Sequence, residues 1–274
     1  MNKIIICIFI LITSCSSLEQ RSKLAFTIAN KAGFSSVLYQ DSGYSIQSFA
    51  KKTNANSSVI SIYIEGDGRS WIDRNTISSN PTPTTPLALE LAALDQSPKV
   101  IYLARPCQYV SDPKCSAKVW TSHQFSQAVV MSYMQVLDQI KKQHNNKAFH
   151  IIAYSGGATI ALMLGAQRND IQSIRTIAGN LDHAQLSAIT KTTPLVHSVA
   201  PQAFIAKTQH IPQLHYYGGQ DKVIPEKIYL DYNKNFTKQN CITVQKIAAL
   251  DHHVGWDIFW QNHAAFIPTC TTIN

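Results

Sequence analysis

The chain alternates short, near-continuous apolar runs with longer stretches whose apolar positions recur at helical spacing. Residues 58–64 (Ser-Val-Ile-Ser-Ile-Tyr-Ile) and 100–104 (Val-Ile-Tyr-Leu-Ala) read as buried strands. So do residues 149–154, a segment around 174–177, residues 213–217, and 241–247 as the last. Between them, residues 87–94 predict a helix after the Pro-rich stretch 81–86. Residues 122–143 predict a long amphipathic helix, with Val129, Val130, Tyr133, Val136, Leu137 and Ile140 on one face. Residues 34–50 predict one or two antiparallel strands, at Val37-Leu38-Tyr39 and Tyr44-Ser45-Ile46. Apolar strands alternating with helices predict an α/β fold, a mostly parallel central sheet covered by helices on both faces. Residues 183–210 are the least regular stretch and a candidate cap over the C-terminal edge of the sheet.

The first residues stand outside this alternation. Lys3 precedes an apolar run, Ile4 to Ile12, too short to cross a bilayer as a helix. The run ends in Ile12-Thr13-Ser14-Cys15, which resembles the lipobox of bacterial lipoproteins. That resemblance implies a signal peptide over 1–15, cleavage before Cys15, and acylation (palmitate among the chains) of that cysteine. It also implies export and a lipid anchor in the bacterial cell envelope, facing the periplasm or the surface. Ser16 rather than Asp after the cysteine favours the outer membrane by the same resemblance. Ser16 to Ser22 is then expected as a polar tether, 16–33 as tether and N-terminal segment, and 34–274 as the folded domain. An ordinary secretory signal that ends near a cysteine is the competing reading.

Composition narrows the partners. The net charge is +8, yet no Lys/Arg run is longer than Lys51-Lys52 or Lys141-Lys142. The charge is spread rather than clustered with aromatics, so nucleic acid is not an expected partner; anionic lipid headgroups are compatible with it. Beyond Cys7 and Cys15, four cysteines remain: Cys107, Cys115, Cys241 and Cys270. An even number in an exported chain suggests disulfides, with three connectivities open. Cys107–Cys115 with Cys241–Cys270 is favoured, closing a Pro- and Ser-containing loop and tying the last strand to the tail. No C-x-x-C pair, H-E-x-x-H pattern or phosphate loop ending in Lys-Ser or Lys-Thr occurs, so neither a metal nor a cofactor is expected. About 260 residues after cleavage suit one α/β domain, expected as a monomer.

Four segments carry candidate chemistry. Phe149 to Tyr154 runs straight into Ser155-Gly156-Gly157, and a helical stretch follows. This is the strand–Ser–helix context of a nucleophile elbow, whose crowded turn needs small residues two before and two after the serine. They are Ala153 and Gly157, where G-x-S-x-G would have glycine first. The other segments are Glu65-Gly66-Asp67-Gly68-Arg69-Ser70-Trp71 after an early strand, Tyr216-Tyr217-Gly218-Gly219-Gln220-Asp221-Lys222-Val223-Ile224-Pro225, and Ala249-Leu250-Asp251-His252-His253-Val254-Gly255-Trp256.

In this order they resemble the α/β-hydrolase-fold serine hydrolases, over roughly residues 35–265. Arg105-Pro106-Cys107-Gln108-Tyr109 and Asn80-Pro81-Thr82-Pro83 further resemble segments of uncharacterised exported hydrolases of that superfamily. The resemblance implies Ser155 as nucleophile, Asp221 as the acid (runner-up Asp182), and His252 as the base (second choice His253). It implies an oxyanion hole from the N–H groups of Gly156 and Asp67, on the loop that Gly66 opens. The expected activity is hydrolysis of small or lipid-like acyl esters or thioesters through an acyl-enzyme, in the manner of esterases and lipases. Two alternatives stay open: an amidase or peptidase on the same triad, and a non-catalytic binding lipoprotein that retains the fold.

Overall fold

The computed structural model describes residues 17–40, 43–51, 57–236 and 241–271. The signal sequence and lipobox, with Cys7 and Cys15, lie outside the described residues. In chain order the elements are α1 (Leu18–Lys31), β1 (Phe34–Tyr39), β2 (Ile46–Lys51), β3 (Val59–Ile64), α2 (Leu87–Leu94), β4 (Val100–Leu103) and α3 (Gln127–His144). There follow β5 (Ala148–Tyr154), α4 (Gly157–Gln167), β6 (Ile171–Ile177), α5 (His183–Thr190), α6 (Gln202–Ile205), β7 (Gln213–Gly218), α7 (Glu226–Lys234), β8 (Ile242–Ile247) and α8 (Trp256–Gln261).

The strands form one eight-stranded sheet in the order β1-β2-β4-β3-β5-β6-β7-β8. Only β2 runs against its neighbours; β4 to β8 pair in parallel. The side chains of β5 show the period-2 alternation of a doubly covered strand. Phe149, Ile151 and Ala153 enter the cluster formed with α3, α4 and α7. Ile152 and Tyr154 enter the opposite cluster, formed with α1, α2 and α8. This is the mostly parallel sheet with helices on both faces that the strand pattern predicts.

Three elements differ from expectation. The predicted helix over 122–143 begins only at Gln127, because the Ser126 side chain caps it by accepting the Val129 N–H. The second antiparallel strand begins at Ile46, where the expected one ended. The stretch expected as tether is the α1 helix from Leu18, opened by a capping box between Ser17 and Gln20. Its stripe Arg21, Ala25 and Ala29 is buried, and the Arg21 guanidinium donates to the Thr82 carbonyl. The folded unit therefore includes residues 18–33. Among the described residues, no helix is long and apolar enough to cross a membrane.

Candidate active site

β5 delivers Ser155 into a tight turn with φ at +49°, a left-handed conformation that costs a non-glycine residue strain. Surrounding contacts hold it there. The Ser155 N–H donates to the Ile177 carbonyl at 3.1 Å, and the Ser155 carbonyl accepts from Asn180 and Ala158 at 2.9 and 3.0 Å. A Cβ on Gly157 would sit 2.7 Å from the carbonyl oxygens of Ile64 and Glu65, so the turn requires glycine there. Ser155 is half-buried and opens toward solvent.

The acid loop follows β7. Asp221 uses one carboxylate oxygen, Oδ1, to accept the N–H groups of Val223 and Ile224 at 2.7 and 2.9 Å. The other oxygen, Oδ2, lies 2.8 Å from His252 Nδ1, and the carboxylate has no exposure to solvent. His252 Nε2 lies 3.0 Å from Ser155 Oγ. A carboxylate only accepts, so Nδ1 carries the imidazole proton and the Nε2 lone pair faces the serine hydroxyl. Asp182 stands elsewhere: its carboxylate caps α5 through the N–H groups of Ala184 and Gln185.

The two histidines separate by partner. His253 turns from Ser155 and places Nδ1 2.7 Å from the Tyr154 hydroxyl. Burial and the neighbouring His252 pull the His253 pKa down. The Tyr154 hydroxyl also donates to the His252 carbonyl at 3.2 Å. Burial, then the charge on Glu65, holds the Tyr154 pKa well above its usual value, so it stays a donor. The His loop is further shaped by Asp251, which accepts the N–H groups of His253 and Val254 at 2.7 Å each. Those bonds hold the Asp251 carboxyl below its usual range. The loop lies against the strand end so closely that a Cβ on Gly218 would meet the Leu250 carbonyl oxygen at 2.4 Å.

The loop after β3 packs on the serine. A Cβ on Gly66 would lie 3.1 Å from the Ser155 Cβ, and one on Gly156 would lie 1.9 Å from Asp67 Oδ1. Gly66, Asp67 and Gly156 are thus adjacent, and the N–H groups of Asp67 and Gly156 meet no acceptor among the described residues. Behind them, the buried Glu65 carboxylate accepts the Gly66 N–H at 2.9 Å and the Tyr102 hydroxyl at 3.1 Å. Burial pushes its pKa up to about 7.

Two participants escaped the sequence reading. Arg105, buried after β4, pairs with Asp67 at 2.8 Å and donates to the Gln124 carbonyl at 2.7 Å. Its segment drew notice only by resemblance, because the pairing spans 38 positions. Tyr154 carried a signal, a large polar aromatic directly before the serine, but its partners lie nearly a hundred residues on. Both favoured disulfides, Cys107–Cys115 and Cys241–Cys270, are present.

Comparison with known structures places this geometry in a fold. An α/β serine hydrolase homologue from Coxiella burnetii superposes with TM-score 0.59 at 13% identity, covering 84% of this chain and 95% of its own. Est1E from Butyrivibrio proteoclasticus, with ferulic acid bound, gives 0.60 at 12% identity over 83% of this chain and 96% of its own. A lidless α/β serine hydrolase from Xanthomonas campestris gives 0.57 at 11% identity over 84% and 91%. At such identities the likeness shows the α/β-hydrolase fold. No curated protein matches the sequence significantly. The serine hydrolase family FSH1 matches residues 83–254, more than half of the chain and the span holding Ser155, Asp221 and His252. The chain belongs to the FSH1 serine hydrolase family and is a hydrolytic enzyme of the α/β-hydrolase fold.

Proposed function

We propose that this serine hydrolase is exported, anchored by lipid at Cys15 to the cell envelope, and cleaves carboxylic ester or thioester bonds through an acyl-enzyme on Ser155. The observation that carries the mechanism is the His252 ring set between Ser155 Oγ and Asp221 Oδ2 at 3.0 and 2.8 Å. Ser155 Oγ attacks the acyl carbonyl as His252 Nε2 takes its proton. The Asp221 carboxylate stabilises the imidazolium that results and does not itself become protonated. The N–H groups of Gly156 and Asp67 receive the oxyanion, where loss of one donor typically costs roughly 3 kcal/mol. His252 returns the proton to the departing alkoxide or thiolate. A water, deprotonated by the same nitrogen, then releases the acid and restores Ser155 Oγ–H.

Export and anchoring rest on the sequence at Ile12–Cys15, and the two disulfides favour an oxidising compartment. The test is fluorophosphonate labelling of the full-chain protein beside Ser155→Ala, His252→Ala and His253→Ala. Labelling at Ser155 that His252→Ala removes and His253→Ala keeps is expected. A folded protein that does not label, or labels independently of His252, would overturn the mechanism. Acyl and thioester substrates compared with amides then decide the bond class, and equal or faster amide turnover would refute the ester assignment. The mass of the N-terminal peptide reads Cys15 acylation directly.

A further inference from the structure

The loops leaving the C-terminal ends of the parallel strands surround Ser155, and they carry apolar side chains into solvent. Trp71, Ile72 and Ile77 project from the loop after β3, with exposures of 47%, 54% and 42%. Trp71 and Ile77 form an antiparallel bridge, and the Ser70 hydroxyl ties this small hairpin to the Asp67 carbonyl. Val223 stands two residues beyond Asp221, and Val254 two beyond His252; both are exposed. Val196, 75% exposed, lies on the loop after α5, which is pinned beside the site through the Val199 N–H to the Phe125 carbonyl. Exposed apolar side chains also occur elsewhere, among them Leu24, Leu38, Met131, Leu230, Phe266 and Ile267, and single ones are ordinary; those of the loops named here are the ones that rim the catalytic edge.

The first helix starts on this same edge. β1 is antiparallel to β2 and β2 to β4, so β1 runs with the parallel strands. α1 turns through Ala32 and Gly33 into the start of β1, so its last turn lies at the far edge and its first turn at the catalytic edge. Contacts agree with the topology. Arg21 in the first turns of α1 donates to the carbonyls of Asn80 and Thr82. Gln108 Nε2 bridges the adjoining Pro81 carbonyl to that of Gly66. Leu18, the first residue of the helix, is exposed. Cys15 is two positions before Ser17, the first described residue, and two residues reach at most about 7 Å.

Charge completes the surface. In the loops after β3, β4, β6, β7 and β8, including that after α5, Arg74, Lys118, Lys191 and Lys222 are exposed. Among the described acids of those loops Asp73 is exposed and Asp182 and Asp251 are half-buried, and Glu226 and Asp257 are exposed in the first turns of the helices that follow. The carboxylates of Asp67 and Asp221 are paired inward with Arg105 and His252.

We propose that this edge docks on an anionic phospholipid bilayer, with Trp71, Ile72, Val196, Val223 and Val254 seated among the headgroups and Ser155 facing the lipid surface. The proposal rests on the tethered-hydrolase reading and adds an orientation to it. An anchor this close to the first turn of α1 holds the catalytic edge against the membrane. The exposed cations gain from anionic headgroups while the apolar rim leaves water.

The test uses Trp71 as its probe. Trp256 and Trp260 are buried and Trp120 is half-buried, which leaves Trp71 as the exposed tryptophan. Full-chain protein is mixed with vesicles of phosphatidylglycerol and phosphatidylethanolamine carrying brominated acyl chains, or with phosphatidylcholine vesicles alone. A blue shift and bromine quenching with the anionic vesicles are expected, and Trp71→Phe should lack both. Trp71→Ser with Ile72→Ser and Val196→Ser should weaken vesicle affinity at least tenfold while keeping turnover of a water-soluble ester. Protein that floats with the vesicles yet leaves Trp71 as open to aqueous iodide as before would overturn the docking. So would a concentration-dependent blue shift without lipid, which assigns the face to a second copy. Fluorophosphonate labelling and the mass of the Cys15 peptide, read on the same samples, report failure of the hydrolase or anchor reading separately.

Discussion

Glu65 lies directly behind the proposed oxyanion loop with 1% of its surface exposed. Burial raises its pKa from 4.5 to about 7, against the lowering effect of its bonds to Gly66, Tyr102 and Ala88. A carboxyl whose folded value exceeds its unfolded value binds its proton more tightly in the native state. Its contribution to stability is therefore complete below the unfolded value and is lost as pH rises through about 7. Moving from 4.5 to about 7 at 1.36 kcal/mol per pH unit amounts to roughly 3 kcal/mol. Above neutrality the enzyme thus carries a buried anion beneath its Gly66 N–H, and the fold bears that cost.

The perturbation is Glu65→Gln, which keeps an oxygen for the Gly66 N–H and cannot ionise. Urea unfolding of both proteins at about pH 5 and about pH 8 gives the assay. Relative to the parent, the Gln variant should gain about 2.5 kcal/mol of stability between those conditions, since part of the effect is already lost at pH 5. Buried histidines tilt the individual profiles the other way. His215, pulled down to about 3 by burial, contributes stability that is lost as pH falls below its unfolded value. Such groups are common to both proteins and cancel in the difference. Parallel stability profiles for the two proteins would refute the argument, because Glu65 would then ionise alike in folded and unfolded chains.

Other expectations follow from the site. His252→Ala should lower kcat by about a thousandfold or more, whereas His253→Ala should keep most of it, in steady-state assays with an activated ester. Tyr154→Phe removes the hydroxyl shared by the His252 carbonyl and the His253 ring, at about 1 kcal/mol per bond. Its kcat should fall roughly tenfold with KM little changed. Gly156→Ala places a methyl against Asp67 Oδ1, so it should cost about tenfold in kcat/KM, and much less in an Asp67→Ala background. Cys241 and Cys270 close a separation of 29 residues; replacing both with serine should lower unfolding free energy by roughly 3 kcal/mol, measured by denaturation.

The sheet was legible because its strands are buried on both faces, which writes them as unbroken apolar runs such as 59–64 and 149–154. The α1 helix was not. Its buried stripe is Arg21, Ala25 and Ala29, while Leu18 and Leu24 face solvent, so its apolar periodicity points away from its packing face. Arg21 is held by the Asn80 and Thr82 carbonyls, about sixty positions away, and no local pattern announces such a partner. The candidate site divides on the same line. Ser155 was legible from its own strand–turn–helix context, and Asp221 from the turn that also satisfies its Oδ1. The adjacent histidines were ranked by resemblance alone, His252 ahead of His253, because both stand in the same local pattern.

What separates them is the arrangement of several loops at once. Gly255 takes φ of +88°, Asp251 caps the two N–H groups before it, and the Trp256 indole donates to the Asp251 carbonyl at 2.9 Å. Those contacts fix the loop backbone, and Tyr154 then binds it at both histidines, through a carbonyl and a ring. Tyr154 is also the last residue of β5, immediately before the nucleophile. The residue immediately before Ser155 is therefore joined through its own side chain to the loop that carries the base. An apolar residue of equal size could make neither contact, which is why an aromatic hydroxyl suits the position before the serine in this chain.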